Sequence, residues 1–597
     1  MISRSFFKGD YREVLRLTID RNDVTLDLQE IEWIIGALAF TGRVAEAEVR
    51  FHTNIDRLTR SQRIACRFFL AITFMRQSRY AESRQLFATT MRDLRASVPA
   101  GGHDEFFAFQ GLAFYHYFCG RFDRALKASN RAFTAAIAAD FLYGRALAGD
   151  IRAHILVQCG QIEEGFGTFE ETQTLAKRLG SGAILDALEV SVLIYRAQFG
   201  ISPVADLKKL KKKTSEADLQ DTYSRSNLLL ELSRQYVLRG KLAAAAASLR
   251  DAAKVIYRTQ NRRHEVVLNL RQANIQYLRG DFQNALSLLN SAKKSLDPAV
   301  DEALSVQVSG SEERILQALG WDAEARAAHT VVEKLTSRFS GGVNLRIWER
   351  NQKLPLSARI GKDPLGDLLD QAQVALTFRN SGLIDEFLVR GYLQPLVQKL
   401  GFQPGSLALI LDIRPGEILS LDRGEIGHFR GLTPTMRRIA SVLARGPTTK
   451  KTLIETVWGY RYHPLQHDPV LYSAITAFRK TLGNQSHWLE TTEDGYRFQS
   501  GLEVSAIGKS TLVESVPLAP IQASPGRSLE LNFRQLKALK ELKELKQREY
   551  WDLKDYRRAF RISAITASRD LSGMHQAGLV VRVGRARATR YIAGESL

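Results

Sequence analysis

The stretches Gly240-Lys-Leu-Ala-Ala-Ala245 and Gly280-Asp-Phe-Gln-Asn-Ala285 decide the fold of the first half of the chain. In each, a glycine precedes an apolar residue by two positions and a small residue by five. Such a glycine permits a tight turn, and the small residue lets two antiparallel helices approach closely. A single helix pair cannot bury its own apolar face, so the pattern predicts a stacked α-solenoid over residues 1–340. The glycines recur every 40 residues, at Gly120, Gly160, Gly200, Gly240, Gly280 and Gly320.

These segments resemble the turn and second helix of tetratricopeptide repeats. The period is longer than that of the family, whose units have about 34 residues, so we expect longer helices or longer loops here. Three uses of the repeats stay open at this point: binding of a protein or peptide partner, sensing of a small ligand, and self-association into a homo-oligomer.

The composition narrows the class of protein. A length of 597 residues predicts several domains. The 84 lysines and arginines outnumber the 64 acidic residues, for a net charge of +20, and this surplus favours nucleic acid over a membrane as partner. The three cysteines are far apart and favour a reducing, cytoplasmic location. The chain has no apolar run of about 18 residues, so we expect no membrane association.

Residues 341–403 lose the repeat, and we interpret them as a helical connector with helices at 365–379 and 384–399. From residue 404 to 502 the pattern changes to short strands, followed by three helices and a hairpin. Thr433 before Pro434 predicts the start of the first of these helices, Thr449 starts the second, and the third is expected at 470–482.

This region resembles the DNA-binding effector domain of OmpR/PhoB-type response regulators. The resemblance implies a winged helix-turn-helix whose third helix contacts DNA. It is carried by Leu432-Thr-Pro-Thr435, Val457-Trp-Gly-Tyr460, Phe478-Arg-Lys-Thr-Leu-Gly483, Leu489-Glu-Thr491 and Gly495-Tyr-Arg-Phe498. The candidate DNA contacts on the third helix are Tyr472, Ser473, Thr476, Arg479 and Lys480.

Two features depart from that family. Tyr472, Ala474 and Ala477 stand where the family usually has charged side chains or histidine, and the hairpin tip is Glu493-Asp494 where arginine is usual. Carboxylates at a phosphate-facing tip repel DNA. DNA contact and protein contact therefore both stay open for this region.

Residues 503–527 are small, polar and contain three prolines, which predicts a linker. Within it, Gly508-Lys-Ser-Thr511 lacks the earlier glycine that a phosphate-binding loop needs. His463 and His467 have no nearby third ligand for a metal. No catalytic constellation stands out, so we expect no cofactor, no metal and no enzymatic activity.

The last region, 528–597, contains the stretch FRISAITASRDLSGMHQAGLVVRVGRARATRY from Phe560 to Tyr591. Ser563 is a candidate N-cap of a helix, Gly578 is a candidate stop, and two strands follow around a basic loop. A helix with a polar face before a basic hairpin is typical of a winged helix-turn-helix. The residues expected to read base edges are Ser563, Thr566, Ser568 and Arg569, and those expected to hold the DNA backbone are Arg585, Arg587 and Arg590.

Residues 527–597 carry sixteen basic and eight acidic side chains, so this region is the expected principal contact with double-stranded DNA. The combination of helical repeats with such an effector domain is similar to that of SARP-type bacterial transcription activators, although those have the DNA-binding domain first. The sequence thus predicts a sequence-specific DNA-binding transcriptional regulator. The alternative is a protein-interaction scaffold that uses both winged helices for protein contacts.

Overall fold

The protein is described here by a computed structural model, which covers residues 1–19, 26–96, 102–215, 222–297, 300–338, 342–352, 354, 356, 360–374, 381–506, 533–543, 549–576, 579–584 and 589–593. The chain divides into two compact units, Met1–Val513 and Glu514–Leu597. In the described residues no helix is both long enough and apolar enough to cross a membrane.

The first unit begins with consecutive helices that pack as antiparallel pairs, which confirms the predicted α-solenoid. The helices of this region are α1 (Ile2–Phe7), α2 (Tyr11–Arg16), α3 (Leu28–Phe40), α4 (Val44–Asn54), α5 (Arg60–Arg76), α6 (Tyr80–Arg95), α7 (Gly102–Phe118), α8 (Phe122–Ala138), α9 (Leu142–Gln158), α10 (Ile162–Leu179), α11 (Gly182–Phe199), α12 (Pro203–Ser215), α13 (Thr222–Leu238), α14 (Leu242–Arg258), α15 (Arg262–Arg279), α16 (Phe282–Lys294), α17 (Glu302–Ala318) and α18 (Asp322–Thr336).

Helix length explains the 40-residue period. Helices α8 and α9 have 17 residues each and α10 and α11 have 18, and only two or three residues separate neighbours. The extra residues of each repeat therefore lengthen the helices and not the loops. The repeat glycines adopt positive φ, for example 90° at Gly160 and 82° at Gly280, as a tight turn between such helices requires.

The solenoid also contacts itself over a long separation in sequence. Tyr80, at the start of α6, donates a 2.6 Å hydrogen bond to Asp301, which is 221 residues further along the chain. Arg263 of α15 forms an ion pair with the same buried carboxylate. This buried polar contact ties an early helix pair to the N-terminus of α17.

The connector forms α19 (Val343–Asn351), α20 (Pro364–Val374), α21 (Ser381–Arg390) and α22 (Leu393–Lys399). The single helix predicted at 384–399 is wrong, because the chain breaks at Gly391, whose φ is 73°. The sequence prediction also omitted α19.

The next region is a four-stranded sheet followed by three helices and a hairpin. The sheet has the order β3-β2-β1-β7. One face, which includes Ala408 and Ile410, packs on α20–α22, and the other, which includes Leu409 and Leu411, packs on the three helices. The elements are β1 (Leu407–Leu411), β2 (Glu417–Asp422), β3 (Glu425–Arg430), α23 (Pro434–Leu443), β4 (Thr448–Thr449), α24 (Lys450–Trp458), α25 (Pro464–Leu482), a 3-10 helix (Gly483–Trp488), β5 (Leu489–Thr491), β6 (Gly495–Phe498) and β7 (Glu503–Ala506).

Two boundaries in this region differ from the prediction. Helix α25 begins at Pro464, six residues before the expected start, because a proline is well tolerated in the first helical turn. The predicted linker is wrong in its first four residues, since β7 pairs in parallel with β1. The N-caps are as predicted: Thr433 accepts a hydrogen bond from the Met436 amide, and Thr449 accepts one from the Thr452 amide.

The second unit contains three helices and a small sheet of order β8-β10-β9 within its described residues. The sequence also predicts a supporting helix at 550–560, before the candidate recognition helix. In the structure this helix begins only at Leu553, because Trp551 and Asp552 pair with β10 and Asp552 caps the helix. Its elements are α26 (Phe533–Lys543), β8 (Trp551–Asp552), α27 (Leu553–Phe560), α28 (Ala564–Gln576), β9 (Val580–Val583) and β10 (Arg590–Ala593).

Candidate nucleic-acid interface

Helix α28 is held in place by its apolar face. Ala567, Leu571 and Met574 recur at helical spacing and are fully buried against α26 and the sheet. Asp570 on the same side is buried and forms a 2.8 Å ion pair with Arg534 of α26. Burial raises the pKa of Tyr556, so its hydroxyl stays protonated and faces the Asp570 carboxylate at 3.5 Å. The orientation of α28 is therefore fixed by both apolar and polar contacts.

The opposite face of α28 is exposed and polar. Ser568 and Arg569 are exposed and, among the described residues, neither side chain has a hydrogen-bonding partner. Together with Ala564 and Ser572 they line a shallow depression in the surface. A guanidinium free of carboxylate partners can donate to a base edge or to a phosphate.

Ser563 and Thr566 lie at the N-terminus of α28 and are already used locally. The Ser563 hydroxyl accepts a 3.2 Å hydrogen bond from the Thr566 amide, which confirms the predicted N-cap. The two hydroxyls lie 2.9 Å apart and share a hydrogen bond. Of the four residues expected to read bases, only Ser568 and Arg569 have side chains that form no hydrogen bond with another described residue.

The hairpin β9–β10 brings further arginines to the surface. Arg590 is exposed and stacks over the Tyr550 ring at 4.2 Å, which fixes its direction. Arg582 on β9 is exposed as well and was not predicted. It lies opposite Tyr591 in the register of β9 and β10, which the sequence of β9 alone does not give. Arg585 and Arg587 lie outside the described residues.

Helix α27 adds basic side chains that the sequence analysis did not name. Arg557, Arg558 and Arg561 are exposed at its C-terminal end, directly before α28. Arg561 adopts a φ of 49°, which ends the helix and turns the chain towards Ser563. The spacing of these arginines before the N-cap was the available signal.

The corresponding helix of the first unit is α25. Tyr472, Ser473, Thr476 and Lys480 are exposed on one face, as predicted, whereas Leu471, Ile475 and Phe478 are buried. Arg479 does not belong to this exposed set. Its guanidinium donates hydrogen bonds of 2.9 and 2.6 Å to the Leu489 carbonyl and one of 2.9 Å to Thr491, so it anchors the hairpin.

Tyr472 is also engaged, in a cluster around Asp468. It accepts a 2.6 Å hydrogen bond from Lys450 and donates to Asp468, which receives a second hydrogen bond of 2.7 Å from Tyr462. Desolvation would raise the pKa of Asp468, but the hydrogen bonds from Tyr462 and Lys450 and the lysine charge hold it below its ordinary value. Lys450 and Tyr472 are therefore bound within the protein.

The hairpin β5–β6 has little free positive charge. Glu493 and Asp494 are exposed at its tip, and the Asp494 carbonyl accepts a hydrogen bond from the Lys450 amide. Arg497 lies opposite Glu490 and forms a 2.6 Å ion pair with it. The exposed carboxylates at the tip and the paired arginine leave this hairpin with little charge that would attract a phosphate.

The described residues contain no group of three or more histidine, cysteine, aspartate or glutamate side chains arranged to hold a metal ion. Of the two histidines singled out above, His467 accepts a hydrogen bond from the His463 amide through Nδ1. That contact organises the start of α25.

Comparison with known proteins adds no assignment. No protein-family model matches the chain, and no curated protein matches it.

Proposed function

We propose that this protein is a sequence-specific DNA-binding transcriptional regulator. Its second unit acts as a winged helix-turn-helix that reads double-stranded DNA, and its tetratricopeptide-like solenoid receives the regulatory input. In this proposal α27 and α28 form the helix-turn-helix, β9–β10 forms the wing, and α28 enters the major groove.

One observation carries the proposal: α28 is anchored by a buried face, while Ser568 and Arg569 on its other face are exposed and have no partner in the described part of the chain. Arg557, Arg558 and Arg561 flank its N-terminus, where they can contact phosphates on either side of the groove. A helix that reads bases must be fixed in orientation and must carry unpaired donors, because a mobile or internally paired arginine cannot discriminate between bases.

The region around α25 supports a second candidate function, that of a protein-interaction scaffold. Arg479, Lys450 and Arg497 are paired internally, and the hairpin tip is acidic. Leu465, Val470 and Tyr472 are large apolar or aromatic side chains exposed along the first half of α25. An exposed apolar strip with an acidic rim suits a protein partner better than DNA. In the regulator proposal this surface contacts another protein.

The test is a selection of DNA from a random duplex pool by the purified full chain. We expect enrichment of a defined sequence, and binding to it that weakens steeply with salt. The enriched duplex is then titrated with the Arg569→Ala variant and with the matched control Lys480→Ala, which removes an exposed cation from α25. Loss of sequence preference only in the first variant supports the proposal.

Two outcomes contradict it. If no sequence is enriched, the scaffold function takes precedence. If Lys480→Ala abolishes binding and Arg569→Ala does not, DNA is read by the region around α25.

A further inference from the structure

A cavity of about 660 Å³ lies inside the C-terminal half of the solenoid. The helices α11, α13, α15 and α17 supply its wall, and α19 and the start of α20 lie across it. A volume of this size is typical of a small-molecule site. The sequence analysis did not single out any residue of this cavity.

The wall carries more positive than negative charge. The arginines that line the cavity are Arg234, Arg271, Arg314, Arg346 and Arg350, whereas the carboxylates that line it are Glu313 and Asp363. Three of the arginines have carboxylate partners: Arg234 pairs with Glu231, and both Arg346 and Arg350 pair with Asp370. For Arg271 and Arg314, the described residues provide no ion pair.

Two buried N–H donors in this wall have no acceptor among the residues that the structure describes. They are Nε of Arg271 and Nε1 of Trp348, which lie on α15 and α19. A buried donor without an acceptor is destabilising, and more so if it is charged, so an acceptor from a ligand would be strongly favoured there. Burial, together with the nearby charge of Arg234, lowers the pKa of Arg271 to about 10, although the Glu231 carboxylate opposes this shift.

The polar positions follow the repeat. Arg234, Asn274 and Arg314 are 40 residues apart, and so are Arg271 and Ser311. Equivalent positions on successive inner helices therefore point polar side chains at one space. If these positions served only to pack one helix against the next, they would carry apolar side chains.

We propose that this cavity binds a small organic anion, a molecule with a phosphate or carboxylate group. Arg271 and Arg314 would hold the anionic group, since a guanidinium donates two parallel hydrogen bonds to an oxyanion. Trp348 on α19 would donate a further hydrogen bond from the opposite wall. The Arg346 and Arg350 ion pairs with Asp370 join α19 to α20, which packs on the sheet β1–β3, so an occupied cavity stabilises this connection.

Calorimetric titration of the full chain, without DNA, tests the proposal independently of the proposed function. The probes are inorganic phosphate, ribose 5-phosphate, succinate and citrate, with ribose as the neutral control, each up to millimolar concentration. We expect saturable one-to-one binding of at least one anion and none of ribose. Comparison of the phosphate probes with the carboxylate probes shows which of the two anionic groups the cavity prefers.

The variants Arg271→Gln and Arg314→Gln should each weaken that binding by about tenfold or more, because each removes a charge-assisted hydrogen bond. Arg271→Lys keeps the charge but not the planar fork, and an intermediate loss is expected. The matched control is Arg250→Gln, an exposed arginine on α14 outside the cavity. Circular dichroism establishes that each variant is folded.

Hydrogen exchange adds a second readout: the bound anion should slow exchange in α19. The absence of saturable binding by every anion would overturn the proposal. So would binding that survives in the Arg271→Gln, Arg314→Gln double variant, or that falls equally in Arg250→Gln.

Discussion

The region around α25 and the second unit have the same order of elements, three helices and then a hairpin, but they use their charges in opposite ways. Around α25 three cations are paired with neighbours: Arg479 binds the β5 backbone, Lys450 pairs with Asp468, and Arg497 pairs with Glu490. In the second unit, Arg569 and Arg582 are exposed without such partners among the described residues.

This difference shows that a count of basic residues does not distinguish paired cations from exposed, unpaired ones. A cation that already has a carboxylate or carbonyl partner must give it up before it can contact a phosphate, and the net gain is then small. Free cations on an anchored helix carry no such cost. The following predictions test whether the two regions differ in function as they do in charge.

The largest effect is expected from Asp570→Ala. The change removes the buried carboxylate that ties α28 to α26 and leaves the Tyr556 hydroxyl without its partner, so the recognition helix loses its fixed orientation. We expect DNA affinity to fall by roughly a hundredfold and amide exchange in α28 to accelerate by at least about tenfold. Exchange mass spectrometry on the full chain locates the change. Unchanged exchange in α28 would contradict the anchoring role of Asp570.

The next effect is that of Arg569→Ala, which leaves the fold of the second unit intact. Loss of one bidentate base contact costs about 1–3 kcal/mol, so affinity for the selected duplex should fall by roughly tenfold to a hundredfold. Affinity for random DNA should change far less. Lys480→Ala on α25 should change either affinity by less than about threefold. Equal effects of the two variants would remove the distinction between the regions.

A smaller change in DNA affinity, in the opposite direction, is expected when the charge of the acidic hairpin tip is reversed. Glu493→Lys with Asp494→Lys places two cations where two carboxylates now repel phosphate. If this hairpin lies near DNA, affinity should rise several-fold and the salt dependence should steepen by up to about two counterions. Fluorescence anisotropy across a salt series measures both. No change in either quantity would indicate that the hairpin faces a protein.

The smallest effect is the pH dependence of the cluster around Asp468. The pKa of this carboxyl is lowered in the folded protein from its ordinary value of 3.8, so its stabilising contribution is present above that value and is lost as the pH falls through the lower, folded pKa. The free energy of unfolding of the wild type, measured with urea, should therefore decrease below about pH 4. Asp468→Asn should flatten this part of the profile and leave DNA binding unchanged. A profile that keeps its slope in the variant would assign the acid sensitivity to another group.

Much of the fold follows from local chemistry and was predicted for that reason. The turn glycines and the N-caps Thr433, Thr449 and Ser563 depend on neighbours within a few residues. The exposed faces of α25 and α28 were predicted on the same basis. What failed were short elements such as β8 and β7, because each exists only through a partner strand distant in the chain.

The sequence by itself determined the helix pairs, their period and the polar faces of the two candidate recognition helices. The tertiary structure decided that the glycine turns have a second role, as a docking edge. The Gly160 carbonyl accepts a hydrogen bond from Gly361 and the Gly240 carbonyl accepts one from Ile426, so the row of turns is also the edge on which the connector and the sheet dock. It likewise decided which arginines, in the cavity and on α28, have no ion pair among the described residues. A side chain's partner lies across the fold, where periodicity and spacing carry no information, so these roles emerge only once the chain is packed.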